Sequence, residues 1–209
     1  MRVKPGLNSL SNAVKEAKKN GITDIYLLNG THDEKGERYV TIDYSVSIIG
    51  ESREHCVVMG GLKMNGNEED DVNVSNLTLR GSKGTGVYGC YGASIHLDNV
   101  SVENSGSKGV AVFRTKRSTM KNCNVSHSKF SGLHVWDGGL MTIDGNATTI
   151  HHNCTEGRGY NYGLDTGNPS SSIHLASSLT IETISKNNGG GGNYGDIIIS
   201  PLYYPLPLK

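Results

Sequence analysis

The sequence predicts an all-β fold: a parallel solenoid whose coils hold three short strands and about 23 residues each. Two observations predict it. Asn76-Leu-Thr-Leu-Arg-Gly-Ser82 recurs as Asn99-Val-Ser-Val-Glu-Asn-Ser105 and as Asn122-Cys-Asn-Val-Ser-His-Ser128, a step of 23 residues each time. Gly86-Val-Tyr-Gly89, Gly109-Val-Ala-Val112 and Gly132-Leu-His-Val135 follow at the same step of 23. Within each unit apolar and polar residues alternate, as in Leu77-Thr-Leu79 and Val100-Ser-Val102. Period-two alternation over a short run reads as a strand with one buried face.

Each element follows from this register. Every coil carries a strand after the Asn corner, a second at Gly-Val-x-Val, and a third around Leu97, Met120 and Ile143. Gly, Asn and Ser mark the corners. Parallel stacking turns inward positions into columns: Leu77, Val100 and Cys123 form one, and Val87, Val110 and Leu133 another. Val102 and Val125 point inward onto Leu79, while Ser101 and Asn124 point out. Asn76, Asn99 and Asn122 are expected to form an amide ladder, and Ser82, Ser105 and Ser128 to stack at a corner. A leucine-rich repeat is the competing architecture. It is disfavoured because Ser105 and Ser128 occupy its consensus Asn position and no helical pattern follows.

Before the clear repeats, Ile22–Leu28, Tyr39–Asp43, Ser45–Gly50, Cys56–Met59 and Gly61–Met64 are strand-sized. Leu7, Leu10, Ala13, Val14 and Ala17 fall on one helical face, so residues 8–19 read as an N-terminal capping α-helix started by Asn8 or Ser9 and ended by Gly21. Coils then occupy 22–188. After the repeats, Ala147–Ile150 continues a column, and Gly163-Leu-Asp-Thr166 matches Gly132-Leu-His-Val135 at a step of 31, which places an insertion within Cys154–Tyr162. Ser172–Leu175 and Thr183–Ser185 suggest one further coil. Residues 189–209 hold a glycine cluster, Ile197-Ile-Ile199 and a Pro-punctuated apolar tail, a candidate C-terminal cap or self-association segment. The whole chain reads as one domain.

Composition narrows function. The 209 residues carry formal charge +0 and a pI of about 7.1, which removes the broad attraction expected of a nucleic-acid binder. No apolar run is long enough for a membrane span. Residues 1–10 lack a signal-peptide core, which favours a cytosolic or virion-associated product. The four cysteines show no metal spacing and read as buried free thiols.

With the capping helix, the strand Ile25-Tyr-Leu-Leu-Asn-Gly30, the Ile48-Ile-Gly50 step and the Asn-x-[Ser/Thr/Asn]-[Leu/Val] coils, the chain resembles the right-handed parallel β-helix, pectate-lyase-like superfamily over most of residues 6–192. It is similar to small repeat-rich β-helix chains of algae and large DNA viruses. The resemblance implies right-handed coiling and a choice among polysaccharide-active enzymes and non-catalytic binding modules.

The register also predicts which side chains share the outside. Arg80, Glu103, Ser126 and His151 line up; so do Tyr88, Ala111, His134 and Asp165, with Cys90, Phe113, Trp136 and Gly167 beside them. Tyr88, Phe113 and Trp136 form an aromatic strip suited to sugar rings. His134 with Asp165 or Asp137 is the candidate acid–base pair. Tyr162-Gly-Leu-Asp165 resembles the start of a mannuronate-epimerase motif, whose Pro-His-Glu continuation is replaced by Thr166-Gly-Asn168. Arg114, Lys116 and Arg117 form a basic patch suited to an anionic glycan. No cofactor is expected; Glu68-Glu-Asp-Asp71 reads as an acidic turn, with Ca²⁺ bound through its oxygens as the alternative. His151 and His152 alternate faces along a strand, so no metal site is expected there. Corners in residues 76–146 are short, which leaves little concavity. The leading expectation is a non-catalytic module for a glycan or protein partner, and the rival a lyase, hydrolase or epimerase of an acidic glycan.

Overall fold

The computed structural model describes residues 1–195 other than Lys35, Glu37 and Ser177. Ile197–Ile199 and the Pro201–Leu208 tail lie outside the described residues.

The alternation produces a three-sided parallel β-solenoid. Two faces merge into one 14-stranded sheet because the strands Asp71–Arg80 and Ser94–Glu103 each run continuously around a corner; the third face is a separate seven-stranded sheet. Val87 pairs with Val110 and Val110 with Leu133, the expected step of 23. Among the described residues the only helices are Ser9–Asn20 and the single turn Ile181–Ile184, so no coil carries the helix a leucine-rich repeat needs.

Columns of like residues fill the interior. On the second face Val58, Leu79, Val102, Val125 and Ile150 stack fully buried; on the third, Leu62, Val87, Val110, Leu133 and Leu164 do the same. Each coil is sealed by its neighbours, and the apolar area removed from water drives the stacking.

Residues in the left-handed conformation recur at the corners, and these too form columns. Asn76, Asn99, Asn122 and Gly145 make the first; Gly81, Asn104, His127, His152 and Asn187 the second; Tyr91, Arg114 and Asp137 the third. Asn and Gly adopt this conformation at least cost, which is why they punctuate the repeat. Asn99 donates to Asn76 Oδ1 at 2.9 Å, a rung of the expected ladder. The Asn122 side chain instead lies where a Cβ on Gly145 would fall, 2.2 Å from Asn122 Oδ1. Ser82, Ser105 and Ser128, expected to stack at a corner, are all buried, and Asn153 and Asn188 prolong their column, with Asn153 Oδ1 accepting from the Ser128 amide at 3.1 Å. Opposite this column sit the glycines that open the third-face strands: a Cβ on Gly109 would come 2.3 Å from Val125 Cγ1 and 3.0 Å from Ser128 Oγ.

Several expectations need correction. The helix is capped by neither Asn8 nor Ser9: Asn8 is itself left-handed and makes no capping bond. Glu34, buried one coil later, accepts from the Leu10 and Ser11 amides at 2.7 and 3.3 Å. A carboxylate supplies both the acceptor and the charge that a helix N-terminus favours. The coils also exceed 22–188: Arg2–Val3 pairs with Tyr26–Leu27, Gly6–Leu7 with His32–Asp33, and Gly192–Tyr194 joins the third face beside Tyr162–Thr166. Residues 183–184 are helical, not extended, because Thr180 and Thr183 form a reciprocal capping box; the strand resumes at Ser185–Lys186. Ser101 and Ser126 occupy outward register positions but are covered, at 5% and 3% exposure.

Candidate functional site on the third face

Strands Val87–Cys90, Val110–Phe113, Leu133–Trp136 and Tyr162–Thr166 lie side by side on the third face. Their inward valines and leucines fix the pleat, so Tyr88, Ala111, His134 and Asp165 project outward in one column, and Cys90, Phe113 and Trp136 in the next. Ala111 is the small member of its column. Across the gap it leaves, the rings of Tyr88 and Trp136 stack with centroids 5.9 Å apart and planes within 4°. Phe113 leans on Trp136 at 5.1 Å, and Tyr91 meets Phe113 edge-on at 5.4 Å. The expected strip of three rings is therefore a contiguous run of four, and the added Tyr91 is 62% exposed.

His134 and Asp165 come together as expected: Nδ1 lies 2.6 Å from Asp165 Oδ2, with both side chains largely buried. The carboxylate accepts, so Nδ1 carries a proton, and whenever the ring is neutral Nε2 bears the lone pair. A Cβ on Gly167 would lie 3.3 Å from Nε2, so the missing side chain keeps that edge of the imidazole uncrowded. The His134 ring also contacts Trp136 at 4.8 Å. Asp137 is not the partner of His134. It sits at the third corner and binds Arg114, with Nε 2.6 Å from Oδ2. Its left-handed backbone turns it away from the strand that carries His134.

Lys108 completes the cluster. It precedes the strand Val110–Phe113 and reaches over Trp136, with Nζ 5.0 Å from the ring centroid. Burial lowers its pKa, and the nearby Asp165 charge opposes that shift. Lys108 lies outside the basic patch read from the sequence. Its position one residue before Gly109, at the mouth of a strand, was the available signal. Burial, with smaller contributions from Cys90, Tyr91 and Tyr39, pushes the Tyr88 phenol up to about 12, so it is a hydrogen-bonding group and not an anion at neutral pH.

The basic patch is internally balanced. Arg114 is paired with Asp137 and packs over Phe113 at 4.8 Å. Arg117 reaches back two coils to Asp71, at 3.1 Å, and to the Glu68 carbonyl, at 2.6 Å. Lys116 lines with them a hollow of about 400 Å³ whose other wall is Glu68 and Glu69. The acidic turn, for which Ca²⁺ is the alternative reading, thus faces the basic one. Asp71 also binds His96 Nε2 at 3.1 Å, and the Asn67 amide holds Asp70 below the usual carboxylate range. Among the described residues no group of three or more His, Cys, Asp or Glu side chains is placed to hold a metal.

A second concavity was not foreseen. Residues 51–55 rise beside the second face, and Arg53 reaches the Asn122 carbonyl at 3.2 Å. Together with Glu103, Thr149 and His151 the loop walls a polar hollow of about 500 Å³ over Thr78, Ser101 and Asn124. The hydroxyls and amide are mutually bonded, Asn124 to Ser101 at 3.0 Å and Thr149 to Asn124 at 3.1 Å.

A three-sided parallel solenoid with an inward column on every face defines a β-helix, and the family comparison agrees. The model for the right-handed β-helix region matches residues 60–195, and the chain belongs to that family. Comparisons with curated proteins and with solved structures gave no match. No helix among the described residues is long and apolar enough to cross a membrane.

Proposed function

We propose that the chain is a non-catalytic β-helix that binds a glycan along the third face, over the run Tyr91, Phe113, Trp136 and Tyr88. The carrying observation is the contact of four aromatic rings from three successive coils. Ring faces and edges stack on the C–H faces of pyranoses, and Tyr hydroxyls and His134 supply polar contacts beside them. Arg114 and Arg117 already hold carboxylates, so the preferred ligand is a neutral glycan and not a polyuronate. Trp136 is the only tryptophan in the chain, so its fluorescence reads this face directly. Titration with a panel of neutral and acidic polysaccharides is expected to give a saturable change with neutral glycans, weakened about tenfold by Tyr91→Ala. Binding measured calorimetrically that leaves Trp136 fluorescence unchanged would remove the proposed surface.

One observation favours a second reading, acid–base catalysis: the 2.6 Å bond between His134 and Asp165. Asp165 would fix the tautomer and Nε2 would take the proton. Full turnover of a confirmed substrate by His134→Ala would exclude it.

A further inference from the structure

We propose that the second corner binds a divalent transition-metal ion of the nickel or copper type through the Nδ1 atoms of His151 and His152. Three of the chain's eight histidines gather there, from consecutive coils. Alternation along a strand would separate His151 from His152. The strand Thr149–His151 ends at the first of them, however, and the second is left-handed, with φ 53°. That turn swings the His152 ring back to the side of His151, and their Nδ1 atoms lie 2.7 Å apart. His127 occupies the same left-handed position one coil earlier and stacks on His152, with centroids 5.5 Å apart and planes within 6°. It fixes the orientation of the ring.

The spacing selects the metal. Two nitrogens 2.7 Å apart subtend roughly 82° at an ion held about 2.05 Å from each. That is close to the right angle between neighbouring ligands of a square-planar or octahedral ion. A tetrahedral zinc site needs its ligands about 3.3 Å apart at the same bond length. The ion would take the place of the hydrogen bond between the two nitrogens, and water would complete its shell, since only two protein ligands converge. His151 also borders the polar hollow over Ser101 and Thr149.

The test is calorimetric titration of Ni²⁺ into the full chain without an affinity tag, repeated with Zn²⁺. One saturable Ni²⁺ site per chain is expected, bound more tightly than Zn²⁺. His152→Ala and His151→Ala should each weaken it about tenfold or more, while His55→Ala, an exposed histidine elsewhere, leaves it unchanged. His152 is exposed at a corner, so His152→Ala decides the matter even where His151→Ala disturbs the fold. The proposal is overturned by the absence of a saturable Ni²⁺ site, by a site that survives both substitutions, or by tighter binding of Zn²⁺.

Discussion

Val102 and Ser101 are adjacent, point opposite ways, and are both buried, for different reasons. Val102 is in the sealed interior, between Leu79 and Val125, with the bare Gly86 so close that a Cβ there would come 2.4 Å from Val102 Cγ1. Ser101 faces out but is covered by its neighbours, donating to Glu103 at 2.8 Å and accepting from Asn124 at 3.0 Å. Alternation told inside from outside correctly at both residues; it could not tell that outward side chains would close over one another. Val102→Asp buries an unpaired carboxylate where no donor can reach it, and is expected to cost several kcal/mol. Ser101→Asp meets Glu103 with a like charge and loses a donor, at about 1–2 kcal/mol. Chemical denaturation of the two variants checks the ranking. Equal losses, or a larger loss at Ser101, would mean that the register is inverted.

The N-terminal helix shows where local pattern stops and tertiary structure begins. Its apolar face was legible because Leu10, Ala13, Val14 and Ala17 recur with helical spacing, and all four are buried. Its cap was not, because the acceptor comes from Glu34, 24 residues beyond Leu10, and no local signal marks a carboxylate that must travel around a coil. The small helix Ile181–Ile184 was missed for the opposite reason. Its Thr180–Thr183 box is local, but the repeat made a strand the natural continuation. Glu34→Gln keeps an acceptor for the helix amides but removes the charge, and should cost about 1 kcal/mol. Asn8→Gly should be neutral or mildly stabilising, since Asn8 is left-handed, makes no capping bond and buries Oδ1 without a partner. Hydrogen exchange at Leu10–Val14 separates the two. Faster exchange in Asn8→Gly than in Glu34→Gln would return the cap to Asn8.

At the scale of the molecule, what was legible is whatever repeats. Columns, corners and the outward alignment of Tyr88, Ala111, His134 and Asp165 follow from one spacing, and the register pairs bear them out. Pairings set by side-chain reach or corner conformation were not legible, because neither carries a period: Arg117 with Asp71, Lys108 over Trp136, and His151 with His152. The same logic sets a test of the whole. In a solenoid each coil contacts only its neighbours, so a unit of the right length can be removed and the remainder can close. Deleting residues 100–122 joins Asn99 to Cys123 and brings Leu79 against Val125, Val87 against Leu133 and Leu97 against Ile143, pairs that already share columns. Deleting 101–122 removes one residue fewer and, up to the next corner, turns Val125 out of the interior and Asn124 into it. The first variant is expected to retain a cooperative thermal transition and the β circular-dichroism spectrum, at reduced stability, and the second to lose both. If the two deletions behaved alike, stability would not reside in the stacked columns, and the positions assigned to the third-face site would lose their basis.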